Sequence, residues 1–163
     1  MLYSLILTDP ELSYENHSED FFIGIFATRQ KAEETACYYL GNLPGFCDYS
    51  CTYRIEEKEV VDNSDNAMPV SVWIVQGWNV NDNFDEIDIL ESECFLTEER
   101  AKAELKMMKE TSARSEWNID RLTVGECHWR EGFVILSIMV DRKNSKSRKV
   151  KQRLEGWNNR ACV

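Results

Sequence analysis

The sequence predicts an α+β protein made of two pseudo-symmetric β-β-α-β repeats that form mixed or antiparallel sheet with the helices packed on it. Three observations carry that expectation. A short signature occurs twice, as Phe26-Ala27-Thr28-Arg29-Gln30-Lys31-Ala32 and as Phe95-Leu96-Thr97-Glu98-Glu99-Arg100-Ala101, with Thr28 and Thr97 lying 69 positions apart. The same offset carries Leu5 onto Ile74, Ile55 onto Val124 and Glu57 onto Glu126 without a gap, so the repeat spans a folding unit. Within each copy, strand-like apolar runs flank a single helical stripe, and such one-sided elements need a covering layer. A chain of 163 residues buries about 70% of its unfolded surface. One copy of about 60 residues sits near the lower limit for its own core, so each copy is expected to bury against its sister.

Taken in order, residues 1–61 form the first repeat. Leu2 to Leu7 is an apolar run suited to a buried strand, Ser13 to Asp20 is a polar stretch, and Phe21 to Phe26 reads as a second strand. Thr28 has the side chain of an N-cap, and Ala32, Ala36, Tyr39 and Leu40 recur behind it at helical spacing up to about Gly41. In Leu43-Pro44-Gly45-Phe46 the proline presets the first central position of a type II turn and the glycine supplies the positive φ of the second. Cys51, Tyr53 and Ile55 then alternate with polar neighbours as in a half-buried strand.

Residues 62–70 read as the connection, and residues 71–140 as the second repeat with an added strand. Its strands are expected at Val72 to Val80, Ile87 to Phe95 and Ile119 to Glu126, and its helix runs from a Thr97 cap with Ala101, Leu105 and Met108 on one face. Glu98 and Glu99 fall in the first turn, where the helix dipole favours negative charge. Phe133 to Val140 is the added strand. Residues 141–163 form a basic C-terminal tail in which Ser147 to Leu154 reads either as a short helix or as a mobile end.

Charge is divided unevenly. The net charge is −10, yet the tail carries eight Lys or Arg against Asp141 and Glu155, a local +6 that leaves −16 on the remainder. Such a body repels nucleic-acid backbones and attracts basic partners, including its own tail. Met1 to Leu7 has neither a basic leader nor a small-residue cleavage site, and no run reaches the roughly 20 apolar residues of a membrane span. The six cysteines, Cys37, Cys47, Cys51, Cys94, Cys127 and Cys162, are scattered without close pairing. A reduced cytoplasmic setting is the expectation.

The run Ile23-Gly24-Ile25-Phe26-Ala27-Thr28-Arg29-Gln30-Lys31-Ala32-Glu33-Glu34, followed by Leu43-Pro44-Gly45-Phe46, resembles a family of small uncharacterised bacterial domains. Their pattern is a GIFST-x-E-KA helix start, then LPGF, then a strand leading to W-x-EGF. The closing element is present once, as Trp129-Arg130-Glu131-Gly132-Phe133 in the second copy, where the first copy has Val60-Val61-Asp62-Asn63-Ser64. The second copy in turn lacks the Pro-Gly turn and has Ala113 and Arg114 there. The resemblance implies the β-β-α-β arrangement and a bacterial cytoplasmic protein, and it brings no catalytic residues.

Candidate chemistry is sparse. Cys47, Cys51, Cys127 and His128 are the ligand types of a tetrahedral zinc site, but no Cys-x-x-Cys occurs and buried free thiols are common on strands. Cys127 and His128 are adjacent, so on a strand they would point to opposite faces and form no thiol-base dyad. No Gly-rich phosphate loop or His-Glu-x-x-His motif appears. Asp82-Asn83-Phe84-Asp85-Glu86-Ile87-Asp88 lacks the glycine and terminal glutamate of a calcium loop and reads as an acidic hairpin, with Glu15 to Asp20 as its acidic counterpart.

The sequence therefore points to a non-enzymatic protein-protein interaction module, with an immunity or inhibitor protein acting through acidic loops as its specific form. The expected partner is a protein, a basic one in that form. Trp78, Asp82, Asp85, Glu86, Asp88 and Trp129 are the candidate partner-binding residues, with no catalytic residue, metal or cofactor implied. The alternative is a small-ligand sensor or enzyme using the cleft between the repeats. Nucleic-acid binding by the tail is disfavoured by the acidic body, no membrane contact is expected, and a homodimer is left open.

Overall fold

The computed structural model describes residues 1–14, 17–61, 63, 67–80, 82, 86–138 and 148–153. In chain order these form β1 (Leu2–Tyr14), β2 (His17–Phe26), α1 (Arg29–Asn42), β3 (Thr52–Lys58), β4 (Val60–Val61), β5 (Ser71–Val80), β6 (Glu86–Glu91), β7 (Cys94–Phe95), α2 (Glu98–Thr111), β8 (Glu116–Thr123), β9 (Phe133–Ile138) and β10 (Arg148–Arg153). The class is α+β, as the residue pattern predicts. Three strands hydrogen-bond in the order β2-β1-β3, five are joined through β5, and β9 pairs with β10. In the five-stranded sheet β4 and β7 are parallel, and the remaining pairs are antiparallel. Among the described residues no helix is long and apolar enough to cross a membrane.

Both helices begin where the repeated signature places them, and each is 14 residues long. Thr97 caps α2, its hydroxyl accepting from the Arg100 amide at 3.3 Å, while Glu98 and Glu99 fill the first turn. On α1 the buried stripe is Ala32, Thr35, Ala36 and Tyr39. Thr35 was not expected inside; its hydroxyl donates to the Lys31 carbonyl at 2.8 Å, which removes the cost of burying it.

Five elements differ from expectation. The single strand expected from Ile87 to Phe95 is two, β6 and β7, interrupted at Ser92, whose hydroxyl accepts from the Val75 amide at 2.9 Å. The strands of the first hairpin run well into the polar stretch Ser13 to Asp20, because backbone pairing continues past the end of an apolar pattern. Leu43 to Phe46 is wider than a β-turn: Gly45 has the expected positive φ of 83°, but the Leu43 carbonyl accepts from Cys47, at 3.0 Å. The strand after α2 starts at Glu116 and stops at Thr123, since four residues suffice to turn the chain where no Pro-Gly loop intervenes. Within the basic tail, Arg148–Arg153 is a strand and not a helix; paired along its whole length with β9, it satisfies its backbone in a way a short isolated helix does poorly.

The chain divides into two compact units that do not follow chain order. One comprises Met1–Ser4, Gly24–Thr28 and Glu56–Glu126; the other comprises Leu5–Ile23, Arg29–Ile55 and Cys127–Val163. The first holds the five-stranded sheet and α2. Its core has two parts: Leu2, Ile25, Val60, Val72, Ile74 and Cys94 with Leu122 and Val124, and Val75, Phe95, Ala101 and Met108 with Leu90, Leu105, Trp117 and Ile119.

The second unit brings together the two motif pieces that the sequence keeps far apart. The Phe133 amide donates to the Pro44 carbonyl at 3.0 Å, and the Tyr39 hydroxyl donates to the His128 carbonyl at 2.6 Å. Phe21 belongs to an aromatic cluster, stacked on Phe133 at 4.8 Å between ring centres and edge-to-face with Phe46 and Trp129, both at 5.1 Å. Both motif glycines are needed for this contact. A β-carbon on Gly132 would stand 2.0 Å from the Pro44 carbonyl oxygen, and one on Gly45 would stand 2.5 Å from that of Phe133.

Gly132 also has a φ of 75°. Gly132→Ala therefore combines backbone strain with a methyl group driven into the Pro44 main chain, and is expected to cost about 3 kcal/mol or more in urea unfolding followed by near-UV circular dichroism. Tyr39→Phe, which removes one hydroxyl and no ring contact, should cost only about 1 kcal/mol in the same assay.

Candidate functional site

In the five-stranded sheet, register decides which side chains share a face. Val72, Ile74, Gln76 and Trp78 stand opposite Leu122, Asp120, Asn118 and Glu116 of β8, and directly opposed residues lie on the same side. On the other flank of β5, Gln76 faces Glu91 and Val80 faces Glu86 of β6. One face is thus assembled from three strands.

That face is covered only in part. Its Val72, Ile74 and Leu122 end lies in the core part that includes Leu2 and Ile25, whereas the reverse face at the other end, Val75, Ile119 and Trp117, packs with α2. Exposure along β8 records the exchange of cover: Glu116 and Asn118 are exposed and Trp117 and Ile119 half-buried, after which Arg121 and Thr123 are exposed and Leu122 half-buried. The parity of burial reverses within one strand. The uncovered end holds Trp78, half-buried, and Val80, 43% exposed. Ile89, 56% exposed, belongs with them, because its neighbour Leu90 turns into the core beside α2.

The acidic residues around this patch do different work. Glu91 accepts from Gln76 and pairs with Lys58 at 3.0 Å. Asp120 accepts from the Asn118 amide at 2.9 Å. Glu86 and Glu116 are both exposed and take no hydrogen bond or ion pair from a described residue. They form the free acidic rim.

The residues singled out by sequence are thereby separated. Trp78 and Glu86 meet on the open face, and Asp82 lies exposed on the hairpin turn beyond it. Asp85 lies outside the described residues. Asp88 is a structural residue: at φ 54° it occupies a register shift in β6, its carboxylate accepts from Asn79 at 3.2 Å, and its carbonyl accepts from Arg114 at 2.9 Å. Trp129 belongs to the other unit, against Phe21 in the aromatic cluster. Of the acidic counterpart stretch, Asp20 sits on a strand, pairs with Arg54 at 2.9 Å and accepts a hydrogen bond from the Thr8 hydroxyl at 2.7 Å. Sequence reading missed Glu116, Val80 and Ile89. The alternation Glu116-Trp117-Asn118-Ile119 was visible, but the register that sets Glu116 beside Trp78 was not.

Among the described residues the thiols do not assemble into a site. Among the described residues no three of His, Cys, Asp and Glu stand together as a metal site. Cys47 is exposed, Cys51 half-buried and Cys127 buried, while the His128 ring packs beside Phe22 at 5.5 Å. Local loss of hydration and the adjacent Asp48 carboxylate push the Cys47 thiol above its ordinary range. Burial pushes Cys94 up to about 12, although Lys58 opposes the shift. Both shifts run against the thiolate that nucleophilic chemistry requires.

Comparison with protein-family models, with curated proteins and with solved structures finds no match for the chain.

Asp88→Ala should cost about 1–2 kcal/mol, since it loses a hydrogen bond and leaves alanine at positive φ, and urea unfolding will measure it. With a pKa near 12 against an ordinary 9.0, the native Cys94 thiolate fraction at pH 8 is lower by about a thousandfold. Alkylation at pH 8 with peptide mapping should therefore modify exposed Cys37 and spare Cys94 until urea unfolds the chain.

Proposed function

We propose that this protein is a non-enzymatic protein-protein interaction module of the bacterial cytoplasm, of the immunity or inhibitor kind, that binds a basic partner. The observation that carries the reading is the open end of the β5 sheet face, where half-buried Trp78 and exposed Val80 and Ile89 form an apolar centre and Glu86 and Glu116 form its rim. An aromatic anchor within a polar rim is the usual anatomy of a binding surface. The net charge of −10 adds long-range attraction for a basic partner and speeds encounter. The raised thiols argue against a cysteine enzyme.

The same reading treats the chain as a duplicated β-β-α-β unit. Its support is that α1 and α2 have equal length and that both follow the repeated Phe-x-Thr signature.

The test uses tagged protein in lysate of its host at low salt, analysed by native mass spectrometry. The wild type should recover one stoichiometric protein partner. The variant Asp82→Asn/Glu86→Gln/Glu116→Gln should associate with that partner about tenfold more slowly and with a shallower salt dependence, at unchanged thermal stability. A partner bound equally by this variant and by Trp78→Ala would sink the proposal.

A further inference from the structure

The interaction reading leaves the partner's contact group open, and the sheet itself indicates which group fits. Carboxylates alone would be a solvated face. What distinguishes this one is an indole set between two of them. Trp78 is directly opposite Glu116 on β8, and Glu86 lies on the same face of β6 opposite Val80, diagonal to the indole. Directly opposed side chains have β-carbons about 5 Å apart and diagonal ones about 7–8 Å apart, so both glutamates stand within side-chain reach of the edge of Trp78.

The same sheet already contains a paired tryptophan and cation. Trp73 stands opposite Arg121, whose guanidinium carbon is 6.0 Å from the indole centre, with its nitrogens donating to the Ser71 hydroxyl at 3.2 and 3.0 Å. At Trp78 the opposed residue is an acid instead, and no described residue places a cation over the ring. The indole has the anion that would hold a cation, without the cation.

Resting on the proposed function, we infer that Trp78, Glu116 and Glu86 form a seat for an arginine side chain presented by the partner protein. The guanidinium stacks on the indole and donates to the carboxylates at its edge. Arginine fits better than lysine because it is planar, so one group can lie flat on a ring while its fork of N–H donors meets carboxylates in its own plane. An ammonium group is a compact, strongly hydrated charge and satisfies one of these demands at a time. Val80 and Ile89 supply apolar surface for the residues flanking the arginine.

The experiment titrates the intact protein with a short unstructured peptide carrying arginine at alternate positions, and with its lysine counterpart. The readout is the indole N–H resonance of Trp78, assigned by comparison with Trp78→Phe. The arginine peptide should shift this resonance saturably, with at least about threefold tighter binding than the lysine peptide. Glu116→Gln should weaken the arginine peptide about fivefold, whereas Glu110→Gln, the same charge change on exposed helix α2, should not. Equal binding of the two peptides, equal effects of the two glutamate substitutions, or no saturable shift would each overturn the arginine seat. Those outcomes leave the broader interaction reading to its own capture experiment, which fails separately if the recovered partner ignores the face.

Discussion

The contact of Pro44-Gly45 with Gly132-Phe133 is the constraint on which the second unit rests. Main chain meets main chain there without room for a β-carbon on either glycine. It closes a long stretch of chain, with Tyr39 and His128, 89 residues apart, tied by a hydrogen bond beside it. Loop closure of that length carries an entropic cost that grows only slowly with length, and the aromatic cluster around Phe21 offsets it through buried ring area. Replacing either glycine would separate the rings as well as the two backbone segments.

In the first unit the organising fact is the position of β5, which is paired on both flanks and is therefore the common reference for register. Cover reaches its two faces at opposite ends. An amphipathic sheet with one covered face would bury a single parity of side chains along each strand. Here the parity reverses midway along β8, so part of a nominally inner face comes to the surface with Trp78 on it. The open patch is a consequence of how the covers are distributed, and no residue in it is exceptional by type.

Acidity likewise resolves into separate roles. Asp88 holds an irregular strand, Asp20 neutralises Arg54, and Glu91 is engaged by Gln76 and Lys58. On the open sheet face Glu86 and Glu116 stay exposed without a partner among the described residues. A run of acidic residues in a sequence is therefore a poor guide to a binding surface until hydrogen-bond partners have been subtracted from it. Among thiols the same holds, since burial and a neighbouring carboxylate raise Cys94 and Cys47 instead of activating them.

By itself the sequence determined the α+β class, the two helices with their starts, and the positive φ at Gly45, because caps, helical stripes and turn glycines act through near neighbours. It left Trp129-Arg130-Glu131-Gly132-Phe133 with the second copy, whereas tertiary structure sets that segment against Pro44 in the second unit. It marked Trp78 and Glu86 but not Glu116, and it did not set apart from them Asp88, exposed yet engaged by Asn79 and Arg114, or Trp129, which lies in the other unit. Those decisions depend on strand register, on which end of a face is covered and on contacts between distant segments. None of these is a property of a local window, and each is settled only when the chain packs.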